Sequence, residues 1–500
     1  MAARTTTARE LERLEASGLA IEERSIVREA GSTFLLARTT GGDRVLAVGG
    51  DGGGFSGEPH EPSGLLTCPL SAANAEALRG RLPWLRPAPL GLATSAGFGD
   101  RLGLATPGHV RALRATSGEA GTIAPIFAQQ SVRENARTGR TPQQVMDDAL
   151  WGLFAEGWRA PWGADADHLK TTDDVEAFAA AGYTFFTIDP GEHVDDEAHA
   201  ARAGGIEAKV LALPWDALED RLTDLEARYL GRPIPLNGGP FLFERRDLWR
   251  AAAKYGRAVA HTAAMYRTIL ERMGESRFEL EVSVDETASP TSVAEHVYIA
   301  SELGRLGVRW VSLAPRFVGE FEKGVDYIGD LEAFAAEFAR HAQVARALGP
   351  YKLSLHSGSD KFSIYPIAAR LAAGGPGGGP LVHLKTAGTS YLEALRTVAA
   401  AEPDLFREIL ALARARYETD RASYHVSARV EKVPAAHELG DGELAGLLED
   451  FDAREVLHVT FGSVLDALGA RLRAALKRHE AEYAEALQHH FERHLVPFID

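Results

Sequence analysis

The sequence predicts an α/β fold built on a (β/α)8 barrel of the TIM type, with a small α+β region before it, a helical insertion after strand four and a helical C-terminal region. Three observations predict it. Short apolar runs alternate with helix-like segments over roughly 300 residues, the expected span of such a barrel. Most runs end in polar or charged residues. One of them, Phe278–Val284, alternates acidic and apolar side chains as a barrel strand with one inward face does.

Residues 1–101 mix a polar amphipathic start with short strand-like runs at Phe34–Arg38 and Arg44–Val48, which read as a small α+β domain. The Gly49–Gly54 cluster lacks the lysine and helix start of a phosphate loop, so it reads as a turn. The barrel is expected over 102–390, its strands at Leu102–Thr106, Ile123–Phe127, Gly163–Asp167, Tyr183–Ile188, Phe278–Val284, Arg309–Leu313, Tyr351–Leu355 and Leu381–Leu384. The gap at about 190–277 is too long for one βα connection. It is assigned a helical excursion, Trp215–Tyr229 and Leu248–Met273, with a possible role as a lid over the barrel mouth. Gly374–Gly379 reads as a loose loop, and residues 391–500 as helices.

Composition removes several function classes. The chain has 45% hydrophobic and 25% charged residues and no long apolar run, which predicts a cytoplasmic protein with no membrane partner. A single cysteine, Cys68, excludes an intramolecular disulfide framework. A net charge of −16 argues against nucleic acid as a partner, while leaving room for a local basic pocket that takes a small acid.

In a (β/α)8 barrel, reactive groups gather where strands end. Strand two ends in Gln129, Gln130 and nearby Arg133; strand three in Asp165, Asp167 and His168; strand four in Asp189; strand six in Arg316; strand seven in His356, Asp360 and Lys361; strand eight in His383 and Lys385. Strand five places Glu279, Glu281, Ser283 and Asp285 on one face. With its apolar face against the helices, those carboxylates point inward, where they require a cation or hydrogen-bond donors. His168, His356 and His383, with Glu281 nearby, suit a divalent metal such as zinc, manganese, nickel or iron. Asp167 is the acid/base candidate; a helix N-cap is its structural alternative. Arg133, Arg316, Lys361 and Lys385 make a cationic rim that predicts an acidic substrate.

The blocks FAQQSVRENARTGRTP (Phe127–Pro142), GADADH (Gly163–His168), EVSVDETASPTS (Glu281–Ser292), LHSGSDKFSIYP (Leu355–Pro366) and HLKTAGTSYLEA (His383–Ala394) together resemble the bacterial tagaturonate epimerases. SYHVSA (Ser423–Ala428) and HVTFGSV (His458–Val464) extend the likeness, which covers the chain from Gly91 onward. The resemblance implies metal-dependent interconversion of D-tagaturonate and D-fructuronate in hexuronate catabolism, with a small ketouronic acid as substrate. It implies Asp167 as proton acceptor, Glu281 as its partner donor, and His168, His356 and His383 as metal ligands. Gln129, Gln130, Arg133, Arg316, Asp360, Lys361 and Lys385 are then expected around the substrate. Other metal-dependent ketose isomerases or epimerases would use a similar site. A two-metal hydrolase is disfavoured because LGLATPGH (Leu102–His109) lacks a paired His-x-His, and a non-catalytic sugar-acid sensor would need the rim without the proton-transfer pair.

Overall fold

The computed structural model describes residues 8–118, 121–236, 238–375 and 378–499. After a helix at Ala8–Ala16, six short strands form an antiparallel sheet centred on Ser32–Arg38 and Arg44–Gly49. Strand alternation divides its side chains between two layers. Leu35, Ala37 and Ala47 meet Leu14 and Leu65 in a satellite cluster, while Phe34, Leu36, Leu46 and Val48 join the main core. The expected polar start is thus helical from Ala8; residues 1–7 lie outside the described residues.

Eight parallel strands then close a barrel in chain order: Ser95–Gly99, Ala124–Ser131, Gly163–Leu169, Phe185–Ile188, Glu279–Val284, Ser312–Pro315, Lys352–Leu355 and Val382–Lys385. Seven overlap the expected runs, and the first does not. Residues 102–106 are no strand; they wrap the Asp100 carboxylate, which accepts from the backbone N–H of Leu102 (3.0 Å), Gly103 (2.7 Å) and Ala105 (2.8 Å) before the helix Thr106–Thr116 begins. The true first strand, SAGFG, hides because its small residues carry no apolar signal. Its neighbours demand them: a Cβ on Gly97 would stand 2.8 Å from Gln129 Oε1, and one on Gly99 2.9 Å from Ala387 Cα.

The excursion after strand four contains the helices Ala203–Leu211 and Leu222–Tyr229, a hairpin (Ile234–Leu236, Gly239–Phe241) and the 29-residue helix Arg245–Met273. The lid expected there is corrected in its main part. The long helix packs between Thr172–Ala180 and Val293–Arg305 in the outer ring, because its buried stripe from Leu248 to Ile269 needs an apolar partner that the polar mouth cannot supply. The glycine run at 374–379 is a loop whose residues 376–377 lie outside the described residues.

The C-terminal helices Thr389–Ala401, Pro403–Asp420, Phe451–Val459, Phe461–Arg478 and Glu480–Leu495 pack on one side of the barrel. Glu480–Leu495 lies directly against Thr106–Thr116, at Gly108, where an added Cβ would approach Leu487 Cβ to 2.5 Å. Gly108→Val should therefore force these helices apart, costing about 1–3 kcal/mol. Calorimetry should register a lower Tm; an unchanged Tm would show that the two helices separate without cost.

Candidate active site and metal centre

The third strand supplies two adjacent site residues. Alternation along GADADH sends Asp165 and Asp167 into the barrel and should send His168 outward. Instead His168 adopts φ +54°, and the register with strand four slips so that Phe186 faces Ala166 while Ile188 faces Leu169. This bulge brings His168 round to the same side as Asp167. His168 Nδ1 then lies 3.2 Å from Asp189 Oδ2, whose other oxygen accepts from Gly191 N at 2.9 Å.

From strand seven, His356 mirrors this arrangement. Its Nδ1 lies 3.1 Å from Glu281 Oε1, and its Nε2 lies 2.8 Å from His168 Nε2 and 3.5 Å from Asp167 Oδ1. When each Nδ1–H donates to its carboxylate, both Nε2 atoms present lone pairs to one point beside Asp167. Two lone pairs at that separation repel unless a proton or a metal cation lies between them. The donor set of two imidazole nitrogens and a carboxylate oxygen therefore fits a divalent metal.

Beneath this point Lys385 is wholly buried, with Nζ at 2.7 Å from Asp167 Oδ1, 2.9 Å from Asp165 Oδ2, 3.1 Å from Glu281 Oε1 and 2.6 Å from Thr187 Oγ1. One cation among three carboxylates leaves the pocket short of positive charge. Burial, opposed by Lys385 and reinforced by Asp167 and Glu281, pushes Asp165 up to about 7. Burial also works against ionised Asp167 and Glu281, yet Lys385 and the neighbouring histidines hold both below the usual carboxylate range. His168, despite the opposing effect of burial, is lifted to about 9 by Asp167 and Asp189.

His383 stands outside the trio of Asp167, His168 and His356. It shares the inward face of strand eight with Lys385, its Nδ1 lies 2.8 Å from Ser95 Oγ, and burial lowers it to about 3. Its buried Nε2 has no hydrogen-bond partner among the described residues, nor has Glu281 Oε2 or either amide atom of Gln130. Gln129 Nε2 lies 3.4 Å from Asp167 Oδ2.

Of the expected cationic rim, Arg133 and Arg316 line a cavity of about 600 Å³ that opens above His356. Three expected substrate contacts are engaged elsewhere. Lys385 serves the carboxylates. Lys361, buried, donates to three carbonyls, Glu322 O, Val325 O and Ser359 O. Asp360, at φ +59°, pairs with His490 Nε2 (2.6 Å) and Arg454 Nη2 (3.1 Å) and so ties strand seven to the C-terminal helices. The same cavity is lined by Asp285 and Glu286 and by residues that sequence reasoning missed, among them Lys323, Tyr424 and His425. Tyr424 and His425 fall in the SYHVSA block, a signal of place without a role; Lys323 had none.

A description of the tagaturonate epimerase family matches residues 23–497. The chain belongs to that family. The tagaturonate/fructuronate epimerase of Thermotoga maritima is 42% identical over 485 residues, 96% of each chain. Native and glycerol-complexed crystal structures of the fructuronate-tagaturonate epimerase of Cohnella laeviribosi superpose with a TM-score of 0.90 at 35% identity, covering 97% of this chain and 98% of theirs. The family's closed barrel with its N-terminal sheet and C-terminal helices is thus shared end to end. No described helix is long and apolar enough to cross a membrane.

Lys385→Met should cost about 3–5 kcal/mol at neutral pH, because three buried carboxylates lose their counter-charge. In the native chain the depressed Asp167 and Glu281 contribute stability above their unfolded values of about 4, and lose it as pH falls through their lower folded values. Without Lys385 their folded values rise above the unfolded ones, so the penalty is relieved as pH falls. Denaturant titrations at two pH values should show a smaller deficit at the acidic one; equal deficits would contradict the pairing.

Proposed function

We propose that this epimerase interconverts D-tagaturonate and D-fructuronate by retro-aldol cleavage and recondensation, with a divalent cation held by His168, His356 and His383. The observation that carries the proposal is the pair of imidazoles, each fixed through Nδ1 by a carboxylate, converging through Nε2 beside an ionised Asp167. The neutral, unpartnered Nε2 of His383 supports its inclusion as third ligand. A zinc, manganese, nickel or iron ion there would supply Lewis-acid stabilisation of negative charge developing on the ketone oxygen.

The chemistry follows from where the two ketouronates differ. The epimeric carbinol carbon is β to the ketone, so loss of an α proton would scramble the neighbouring centre instead. Cleavage between the α and β carbons reaches it. Asp167, kept ionised by Lys385, takes the proton of the β hydroxyl; the C–C electron pair passes into a three-carbon enediolate, and the β carbon becomes an aldehyde. After the aldehyde turns its other face, the electron pair re-forms the bond and a proton returns to the new alkoxide. We assign that return to Glu281, which is ionised at rest and so first receives the proton that Asp167 took; passing it on restores both carboxylates, and Glu281 is suited to the relay because it orients His356 through Oε1 and has Oε2 buried and unpartnered. The net reaction consumes nothing. Gln129 and Gln130, with amide atoms unsatisfied in the interior, are suited to hydrogen-bond the sugar hydroxyls, and Arg133 and Arg316 contribute positive potential for an acidic substrate.

Metal-stripped protein incubated with D-tagaturonate should form D-fructuronate, followed by NMR, only after a divalent ion is restored. Asp167→Asn should lower kcat by about 10²–10⁴-fold, and His356→Ala should reduce bound metal measured by elemental analysis. Protein that binds metal and uronate but converts neither ketouronate would sink the proposal. A trapped three-carbon aldehyde supports cleavage; transfer of a carbon-bound deuterium within the sugar would instead require a hydride shift.

A further inference from the structure

The rim sets its cations, Arg133, Arg316 and Lys323, among four carboxylates of the same cavity, Asp196, Asp285, Glu286 and Glu320, and the structure sorts which cation is already paired. Lys385 and Lys361 are buried and fully committed, the first to carboxylates and Thr187, the second to three carbonyls. Arg316 pairs with Glu320 Oε2 at 3.2 Å. Arg133 is exposed and stacks over Tyr424, 5.3 Å from the ring centroid. Lys323, like Arg133, has no ion pair among the described residues, but it is half-buried and held by a hydrogen bond. Its Nζ donates to Ser357 Oγ at 2.9 Å, beside His356, and no carboxylate lies within ion-pair distance among the described residues.

The loop that carries Lys323 is held on both sides. Lys361 Nζ binds Glu322 O at 2.7 Å and Val325 O at 2.5 Å, and Arg454 Nε binds Gly324 O at 2.6 Å. Glu322 Oε2 accepts from Ser427 N at 3.0 Å and Ser427 Oγ at 2.8 Å, joining the loop to the segment that brings Tyr424 and His425 to the cavity. Gly324 permits the close turn at φ +76°, with Leu392 and His458 crowding the place of a Cβ. Such anchoring fixes the backbone while leaving the ammonium facing the cavity, which is how a binding cation is pre-organised.

From this geometry we infer that Lys323 binds the substrate carboxylate and is the residue that selects an acidic ketose. The inference rests on the epimerase reading above and deepens it. In the ketouronates the carboxylate lies on the fragment that becomes the aldehyde. Anchored at Lys323, that fragment turns its carbonyl about the bond to the next carbon while its charged end stays in place, so the intermediate is retained without a large lid.

The test compares wild type, Lys323→Met, Lys323→Arg and Arg133→Met in the metal-loaded enzyme, by steady-state kinetics and by calorimetric titration of D-tagaturonate. Lys323→Met should raise KM and Kd about 10–100-fold with a smaller change in kcat, as loss of a charge-assisted contact predicts. Lys323→Arg, which keeps the charge, should recover most of the affinity. A Lys323→Met enzyme with wild-type KM and Kd, or a loss found only in Arg133→Met, overturns the assignment. Should Lys323→Met fold poorly, Lys323→Arg decides: affinity as weak as with no cation overturns it. If wild type binds the uronate without converting it, the epimerase reading falls while the titrations still judge Lys323.

Discussion

The buried ammonium of Lys385 is the constraint on which the rest of the site depends. Three carboxylates, Asp165, Asp167 and Glu281, project into the barrel interior from strands three and five, and no hydrophobic packing offsets the cost of desolvating them. Lys385 from strand eight neutralises one charge of the three. The remainder is shared out among a proton favoured on Asp165, the raised affinity of His168 for a proton, and a donor set shaped for a cation. Stability and chemistry are coupled here: the ion cluster that closes the barrel also keeps Asp167 ionised.

Around that centre, the two imidazoles are oriented through carboxylate pairs at Nδ1 rather than through their inward Nε2 atoms. Asp189 sets the ring of His168 and Glu281 that of His356, so each inward Nε2 has its tautomer chosen from behind. The αL backbone at His168 is part of the same device. A regular strand would have turned that imidazole toward the helices; the bulge stores local strain where two consecutive residues must face one point.

The C-terminal helices also belong to the site's construction. Asp360 and Lys361, directly after strand seven, do not face the cavity. Asp360 binds His490 and Arg454, Lys361 clamps the loop at 322–325, and Glu322 reaches the segment bearing Tyr424 and His425. The strand-end cluster that looked like a binding loop is thus a fastening that holds the real rim in place.

By itself the sequence determined the barrel, the acidic inward face of strand five with Glu281 on it and the strand-end positions of Asp167, His168 and His356, because alternation and strand–helix periodicity are local properties. It failed at the first strand, whose glycines are demanded by Gln129 and Ala387 and carry no apolar pattern. It also failed to sort the cations. Lys323, Lys361 and Lys385 are chemically alike in the chain, and only tertiary structure decided that two are buried among fixed oxygens while one remains open to a ligand. The physical reason is that a lysine's role is set by the acceptors within a few ångströms, and for Lys385 these come from residues some two hundred positions away.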